Sequence, residues 1–107
     1  MTYTCIDIAD ALPILEENAA IVDIRDLASY QTSHMTNAIS LNNDNVQEFI
    51  DDTDKERPII VCCYHGNSSK GAAEYLASQG FKQVYSLNGG FSQWSAMFPE
   101  QCETGQA

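Results

Sequence analysis

Residues 58–70 read Pro-Ile-Ile-Val-Cys-Cys-Tyr-His-Gly-Asn-Ser-Ser-Lys, and this stretch decides the fold. The run from Pro58 to Cys62 is continuously apolar and largely β-branched, which is typical of a central strand buried on both faces. The polar residues from 63 to 68 predict a loop, and apolar residues at helical spacing after Ser69 predict a helix that ends near Gly80. A buried strand, a loop and a helix in this order indicate an α/β protein with a parallel sheet.

Short apolar runs alternate with helical patterns along the rest of the chain. This alternation predicts helices on the faces of the sheet. Pro13 lies within the first predicted helix, which it either kinks or begins. A turn is predicted at 88–90, and the segment after Pro99 is expected to be loosely held. The predicted strands are 4–6, 20–23, 38–41, 58–62 and 83–87, and the predicted helices are 8–17, 27–33, 45–52, 69–79 and 91–98.

The composition of the chain argues against several classes of protein. With 107 residues, of which 44% are hydrophobic and 19% charged, the chain has the size and composition of one folded domain. A net charge of −10 argues against binding to nucleic acid or to an anionic membrane. No apolar run approaches the ~18 residues of a membrane span, and residues 1–7 lack the basic start of a secretory signal. We therefore expect a cytoplasmic protein whose four cysteines stay reduced.

The acidic residues are distributed unevenly along the chain. Residues 1–57 contain twelve acidic and three basic residues, a net charge of −9, whereas residues 58–99 contain Glu74 against Lys70 and Lys82. This second stretch is either the buried core of the domain or a region that a small anion must approach.

A thiol lies where the central strand is predicted to end and the loop to begin. In open α/β sheets, ligands bind at this edge. Inward-facing amides of such a loop form an anion-binding nest, and the N-terminus of the following helix adds partial positive charge. We therefore predict that Cys63 is largely a thiolate at neutral pH, and that Cys62 points into the core as a small hydrophobic residue. The alternative interpretation is that both cysteines are structural and buried beside a turn.

The segment from Cys63 to Gly71 resembles the active-site loop of the rhodanese family, and most closely that of its bacterial single-domain thiosulfate sulfurtransferases. Three further segments extend the resemblance through nearly the whole chain. Residues 22–26 match an early strand motif, His34 and residues 38–39 stand where the family carries a Gly-His…Gly-Ala segment, and residues 85–91, followed by Trp94, match a C-terminal motif. The resemblance implies a rhodanese-like three-layer α/β fold with a five-stranded parallel sheet flanked by helices. It also implies a single domain over residues 1–107, with its core at about 3–99 and a loosely held tail at 100–107.

The chain departs from the family pattern at Ser33 and Asn37, where many members have glycine. These departures bear on local turns rather than on the loop that carries the chemistry. Arg25 is expected to pair with a carboxylate and stabilise the fold near the loop, and His34 is expected to satisfy buried backbone groups.

The resemblance implies a double-displacement mechanism. The Cys63 thiolate would attack the outer sulfur of thiosulfate, release sulfite and keep a persulfide, which a thiophilic acceptor such as cyanide or a dithiol protein like thioredoxin then removes. Loop amides would hold the charged species as an oxyanion hole does. No cofactor is expected, and no metal site, because adjacent cysteines rarely bind one ion together. The residues expected to bind substrate through amides and hydroxyls are Tyr64, His65, Gly66, Asn67, Ser68 and Ser69, with Lys70 either guiding the anion or simply solvated.

Other interpretations of the same loop stay open. The domain would be a relay module if it accepted sulfur from a partner protein rather than from thiosulfate. Cysteine-dependent phosphatases use a Cys-x5-Arg loop, whose arginine binds phosphate through two parallel hydrogen bonds. Six positions after Cys63 stands Ser69, so phosphatase or arsenate reductase activity is the weaker hypothesis. His65 either acts as a general base or faces solvent while the backbone binds the anion.

Overall fold

Five parallel strands form the central sheet of the protein, whose computed structural model describes residues 2–105. The strands are β1 (Thr4–Ile6), β2 (Ala20–Asp23), β3 (His34–Met35), β4 (Ile39–Ser40), β5 (Ile59–Cys62), β6 (Val84–Leu87) and β7 (Cys102–Glu103). The large sheet has the order β1–β6–β5–β2–β4, and β3 pairs with β7 in a separate two-stranded sheet.

Strand β5 occupies the middle of the large sheet, as its apolar sequence predicts. All four of its residues are 0% exposed to solvent. It pairs in parallel with β2 on one side and with β6 on the other. The carboxyl ends of these three strands therefore lie together at one edge of the sheet, which is where ligands bind in this type of fold.

Helices cover both faces of the sheet and divide the core into two clusters. The helices are α1 (Ile8–Leu15), α2 (Leu27–Thr32), α3 (Val46–Asp52), α4 (Ser69–Ser78) and α5 (Gly90–Met97), with a 3-10 turn at Pro99–Gln101. Because successive side chains of a strand point to opposite faces, Ile60 and Cys62 pack with α1, α2 and α5, whereas Ile59 and Val61 pack with α3 and α4. The predicted three-layer fold is confirmed. Within residues 2–105, no helix has the length and apolar character needed to cross a bilayer.

Two of the predicted elements are two residues shorter in the structure, and most of the others differ by one residue at one or both ends. Helix α1 ends at Leu15 rather than at residue 17, and Pro13 lies inside it, where it lacks the amide hydrogen that a helix interior normally uses. Strand β4 covers only Ile39–Ser40 of the predicted 38–41. It is an edge strand that pairs with β2 alone, and edge strands are often short.

The expectation of a loosely held tail is wrong for residues 100–105. Strand β7 pairs antiparallel with β3, and the Glu103 carboxylate accepts a hydrogen bond from the Asn37 amide at 3.0 Å and lies 3.2 Å from Nε2 of His34. The amide of Gly105 donates to the carbonyl of Gln31 at 2.9 Å. Two-residue strands carry no readable periodicity, so the sequence did not predict this pairing. The part of the expectation that concerns residues 106–107 lies outside the described residues.

Candidate active site

The sulfur of Cys63 lies at the carboxyl end of β5, where the loop of residues 63–68 begins. The residue is 4% exposed. Its Sγ accepts hydrogen bonds from the amide of Gly66 at 3.1 Å and from the amide of Ser69 at 3.3 Å. Ser69 is the first residue of α4, so its amide is one of those that have no partner within the helix. A donor from the loop and a donor from the helix therefore converge on one sulfur atom.

The surroundings of Cys63 favour its ionised form. Burial alone raises the pKa of the thiol, but hydrogen bonds from the Ser69 hydroxyl and from the amides of Ser69, Gly66 and His65 outweigh burial and bring the pKa below its usual value. The N-terminus of α4 adds partial positive charge at the same place. The sulfur is thus stabilised as a thiolate by hydrogen-bond donors.

The adjacent thiol of Cys62 has the opposite character. Cys62 is 0% exposed and packs in the core between the sheet and α1, α2 and α5. Burial, followed by the charge of Asp23, raises the pKa of this thiol far above its usual value. The prediction that Cys62 acts as a small core residue is confirmed.

Gly66 gives the loop the backbone conformation that directs an amide at the sulfur. Its φ of +97° lies in a region that other residues rarely adopt. A Cβ atom at this position would lie 3.1 Å from the Gly89 nitrogen and 3.1 Å from the Leu87 carbonyl oxygen. A side chain at residue 66 would therefore displace either the loop or the turn after β6.

Helix α5 donates amide hydrogen bonds to two carbonyl groups of the same loop. The amide of Phe91 donates to the Cys63 carbonyl at 2.7 Å, and the amide of Ser92 donates to the Tyr64 carbonyl at 3.0 Å. Gly90 makes this contact possible, because a Cβ atom there would lie 2.3 Å from the Cys63 carbonyl oxygen. The sequence predicts only a tight turn at residues 88–90. The adjacent glycines were a signal of a close backbone approach, but they did not show which segment approaches.

The remaining predicted loop residues surround the mouth of the site rather than the sulfur. Ser68 precedes α4, and its hydroxyl makes no capping hydrogen bond to the helix. His65 is predicted either to act as a general base or to face solvent. In the structure its side chain is exposed, and its backbone amide is among the groups that lower the pKa of Cys63. A cavity of about 280 Å³ opens above Cys63. It is lined by Ile24, Arg25, Cys63, Tyr64, His65, Asn67 and Ser68, whereas the exposed Lys70 is not among its lining residues.

Arg25 is the cationic side chain that lines this cavity. Its guanidinium group is buried and forms hydrogen bonds to both carboxylate oxygens of Asp23, including one of 2.8 Å from Nη2 to Oδ2. It also lies 4.2 Å from the ring centre of Phe91 and 5.2 Å from that of Tyr64. The expected pairing with a carboxylate is confirmed, and the pair fixes the segment after β2 against the loop and α5.

The sequence of this chain also matches a protein-family model. The model of the rhodanese-like domain matches residues 8–97. The chain belongs to this family. The matched region includes β5, the Cys63 loop, α4 and the whole of α5, which are the elements that build the site.

Solved structures with the same fold include rhodanese-like domains. The solution structure of the rhodanese-like domain of the Alr3790 protein from Anabaena sp. is 27% identical, with a TM-score of 0.79 over 97% of this chain and 80% of that chain. The BH2092 protein from Bacillus halodurans is 27% identical, with a TM-score of 0.72 over 90% of this chain and 73% of that chain. A rhodanese-like domain protein from Staphylococcus aureus, 24% identical, shares the fold with a TM-score of 0.71 over 85% of this chain and 90% of that chain.

Proposed function

We propose that this rhodanese-like domain is a thiosulfate sulfurtransferase that carries sulfur as a persulfide on Cys63. The observation that carries the proposal is the thiol itself: its sulfur accepts amide hydrogen bonds from Gly66 and Ser69, its pKa is lowered, and it lies at a cavity that reaches the surface. A thiolate is the nucleophilic form of cysteine.

The first half-reaction transfers one sulfur atom to the protein. The Cys63 thiolate attacks the outer sulfur of thiosulfate and forms a new S–S bond. The original S–S bond of thiosulfate breaks, and sulfite leaves with its electron pair. The amides of Gly66 and Ser69 point at the sulfur that begins the reaction as an anion, so they are placed to stabilise charge during the exchange.

The second half-reaction regenerates the thiolate. Cyanide attacks the outer sulfur of the persulfide and leaves as thiocyanate, with the electron pair of the broken S–S bond returning to Cys63. A dithiol such as thioredoxin attacks the same sulfur and then closes to a disulfide, which releases the sulfur as sulfide. All four cysteines are unpaired, and this chemistry suits a reducing cytoplasm.

The loop supports sulfur transfer better than phosphoryl transfer. Phosphate-binding cysteine loops use an arginine that grips two oxygens, and residues 64–69 contain no arginine. The nearby Arg25 already donates to both oxygens of Asp23. A phosphate dianion would therefore have to compete with that carboxylate for the guanidinium group.

The proposal is tested by incubating the protein with thiosulfate and measuring its intact mass. The wild-type protein is expected to gain the mass of one sulfur atom and to lose it again when cyanide is added. Cys63→Ser is expected to gain nothing, and Cys62→Ala, which changes the adjacent core thiol, is expected to behave as the wild type. The absence of the adduct from wild type, or its presence on Cys63→Ser, would contradict the proposal.

The relay function is the second candidate, and the net charge of −10 favours it because a protein this acidic repels a thiosulfate dianion. Turnover with thiosulfate and cyanide supports the enzyme. Loading from a persulfide-bearing protein donor, without loading from thiosulfate, supports the relay.

A further inference from the structure

Two buried hydroxyl groups form a hydrogen bond at the start of α4, the helix whose first amide donates to the Cys63 sulfur. Oγ of Ser69 and Oγ of Ser86 are 2.7 Å apart, and both residues are 0% exposed. Ser69 begins α4, and Ser86 belongs to β6, where it is in register with Val61 of β5. The pair therefore connects the helix that supplies an amide to the sulfur with the strand next to the one that supplies the cysteine.

The direction of this hydrogen bond determines whether the Ser69 hydroxyl has a hydrogen left to donate to the Cys63 sulfur. A serine hydroxyl has one hydrogen to donate and can also accept. If Ser69 donates to Ser86, its hydrogen is used and the sulfur keeps only amide donors. If Ser86 donates to Ser69, the hydrogen of Ser69 is left for the sulfur. An ionised Cys63 favours the second arrangement, because hydrogen bonds to a charged acceptor are stronger than those between neutral groups.

We infer that Ser86 is a positioning residue that donates its hydroxyl hydrogen to Ser69 Oγ and thereby directs the hydroxyl hydrogen of Ser69 to the Cys63 thiolate. The inference rests on the proposed role of Cys63 as an ionised sulfur carrier. The Ser69 hydroxyl is among the groups that lower the pKa of Cys63. Ser86 contributes through Ser69, because a chain of hydrogen bonds polarises each member toward the charged end.

The test measures how fast iodoacetamide alkylates Cys63 as a function of pH. Peptide-resolved mass spectrometry separates this reaction from that of the exposed Cys5 and the half-buried Cys102. Ser86→Ala is expected to shift the midpoint of the profile to higher pH and to slow alkylation at pH 7 by about threefold to tenfold, which corresponds to the loss of about one hydrogen bond. Ser86→Thr keeps the hydroxyl and is expected to stay near the wild-type midpoint.

The control variant is Ser40→Ala. Ser40 is another buried serine of the same sheet, 5% exposed, on strand β4. Its replacement is expected to leave the midpoint of Cys63 unchanged. A shift as large as that of Ser86→Ala would mean that the profile reports a general loosening of the sheet, and would overturn the inference.

The variants Ser69→Ala and Ser69→Ala/Ser86→Ala test the route of the effect. If Ser86 acts through Ser69, the double variant has the same midpoint as Ser69→Ala alone. A wild-type midpoint in Ser86→Ala would overturn the inference. So would a double variant whose midpoint shift equals the sum of the shifts of the two single variants. If Ser86→Ala does not fold, Ser86→Thr and Ser86→Val are compared instead, because their side chains have nearly the same shape and only threonine has a hydroxyl. Equal midpoints of Cys63 in these two variants would overturn the inference.

Alkylation involves no thiosulfate, so this experiment is independent of the sulfur-loading assay. A protein that fails to load sulfur but shows the Ser86 effect would refute the proposed function and leave the positioning role intact. A protein that loads sulfur but shows no Ser86 effect would refute the positioning role alone.

Discussion

Cys62 and Cys63 are chain neighbours whose environments push their pKa values in opposite directions. Cys62 still belongs to β5 and points into an apolar layer, where burial disfavours the charged form. Cys63 comes one residue later, where the strand has ended and amides of the loop and of α4 face its sulfur. A shift of one residue along the chain is thus enough to separate a neutral core thiol from a thiol whose ionised form is stabilised.

The lowered pKa of Cys63 leads to a prediction about pH. Sulfur loading from thiosulfate is expected to rise with pH and to level off below the ~8.5 typical of a free thiol, because the amides and the Ser69 hydroxyl stabilise the ionised form. The same ionisation stabilises the fold: its contribution is complete above the pKa of the unfolded thiol and is lost as pH falls through the lower folded value. Single-turnover loading rates between about pH 5 and about pH 9 measure the midpoint.

The control for this prediction is Cys62→Ala, which is expected to leave the midpoint of sulfur loading unchanged. A wild-type midpoint at or above that of a free thiol would show that hydrogen-bond donors do not control the ionisation of Cys63.

At the scale of elements, the loop lies between two helices, one of which donates to the sulfur and the other to the loop carbonyls. Helix α4 directs the Ser69 amide at the sulfur. Amides near the start of helix α5 donate hydrogen bonds to the carbonyls of Cys63 and Tyr64, and these bonds fix the orientation of the two peptide groups. The site therefore depends on the close packing of α5 against the loop as much as on the residues of the loop itself.

Replacement of Gly90 tests this dependence. In Gly90→Ala, the added Cβ would lie 2.3 Å from the Cys63 carbonyl oxygen, at a φ of +56°, so either the loop or α5 must move. Sulfur loading is expected to slow at least about tenfold, because misplacing reacting groups by about 1 Å costs more than that. Single-turnover loading followed by mass spectrometry measures the effect.

Gly71→Ala provides the matched control for that replacement. Gly71 lies in α4, and an added Cβ would have no atom within 4 Å. This variant is expected to keep the wild-type loading rate and to gain about 0.5–1 kcal/mol in free energy of unfolding. Equal loading by Gly90→Ala and Gly71→Ala would mean that contact with α5 does not shape the site.

The elements also show what the sequence can and cannot predict. The run of β5 predicts its central position because an apolar stretch without polar alternation must be covered on both faces. The left-handed φ of 69° at Asn37 explains why glycine is common there in the family and why asparagine is tolerated. By contrast, the roles of Gly90 and Ser86 depend on which segments approach each other in three dimensions. Local sequence patterns do not specify that approach, and the β3–β7 pair escaped prediction for the same reason.

At the scale of the whole molecule, the charge of −10 opposes the approach of the proposed substrate, the thiosulfate dianion. The molecule measures 32 × 29 × 24 Å, which is comparable to the Debye length of ~30 Å in ~0.01 M salt. At that ionic strength, a thiosulfate dianion at the loop interacts with every carboxylate of the protein. At ~0.1 M salt the Debye length is ~10 Å, and only the local donors remain effective.

The apparent KM for thiosulfate is therefore expected to fall as salt rises from about 0.01 M to about 0.1 M. Steady-state rates with thiosulfate and dithiothreitol measure it, and the KM for dithiothreitol, which is uncharged, is expected to change little over the same range. A KM for thiosulfate that climbs steadily with salt would show that attraction near Cys63 outweighs repulsion by the rest of the protein.

The opposite orientation of the two adjacent cysteines bears on how the protein withstands oxidants. Neighbouring Cα atoms are ~3.8 Å apart, shorter than the ~4.4 Å at which ordinary disulfides begin, and the thiol of Cys62 is packed in the apolar core. Cys62 is therefore badly placed to trap a sulfenic acid formed on Cys63. Rescue from peroxide then depends on a thiol other than Cys62, and where none arrives in time the sulfur proceeds to sulfinic acid and is lost as a nucleophile.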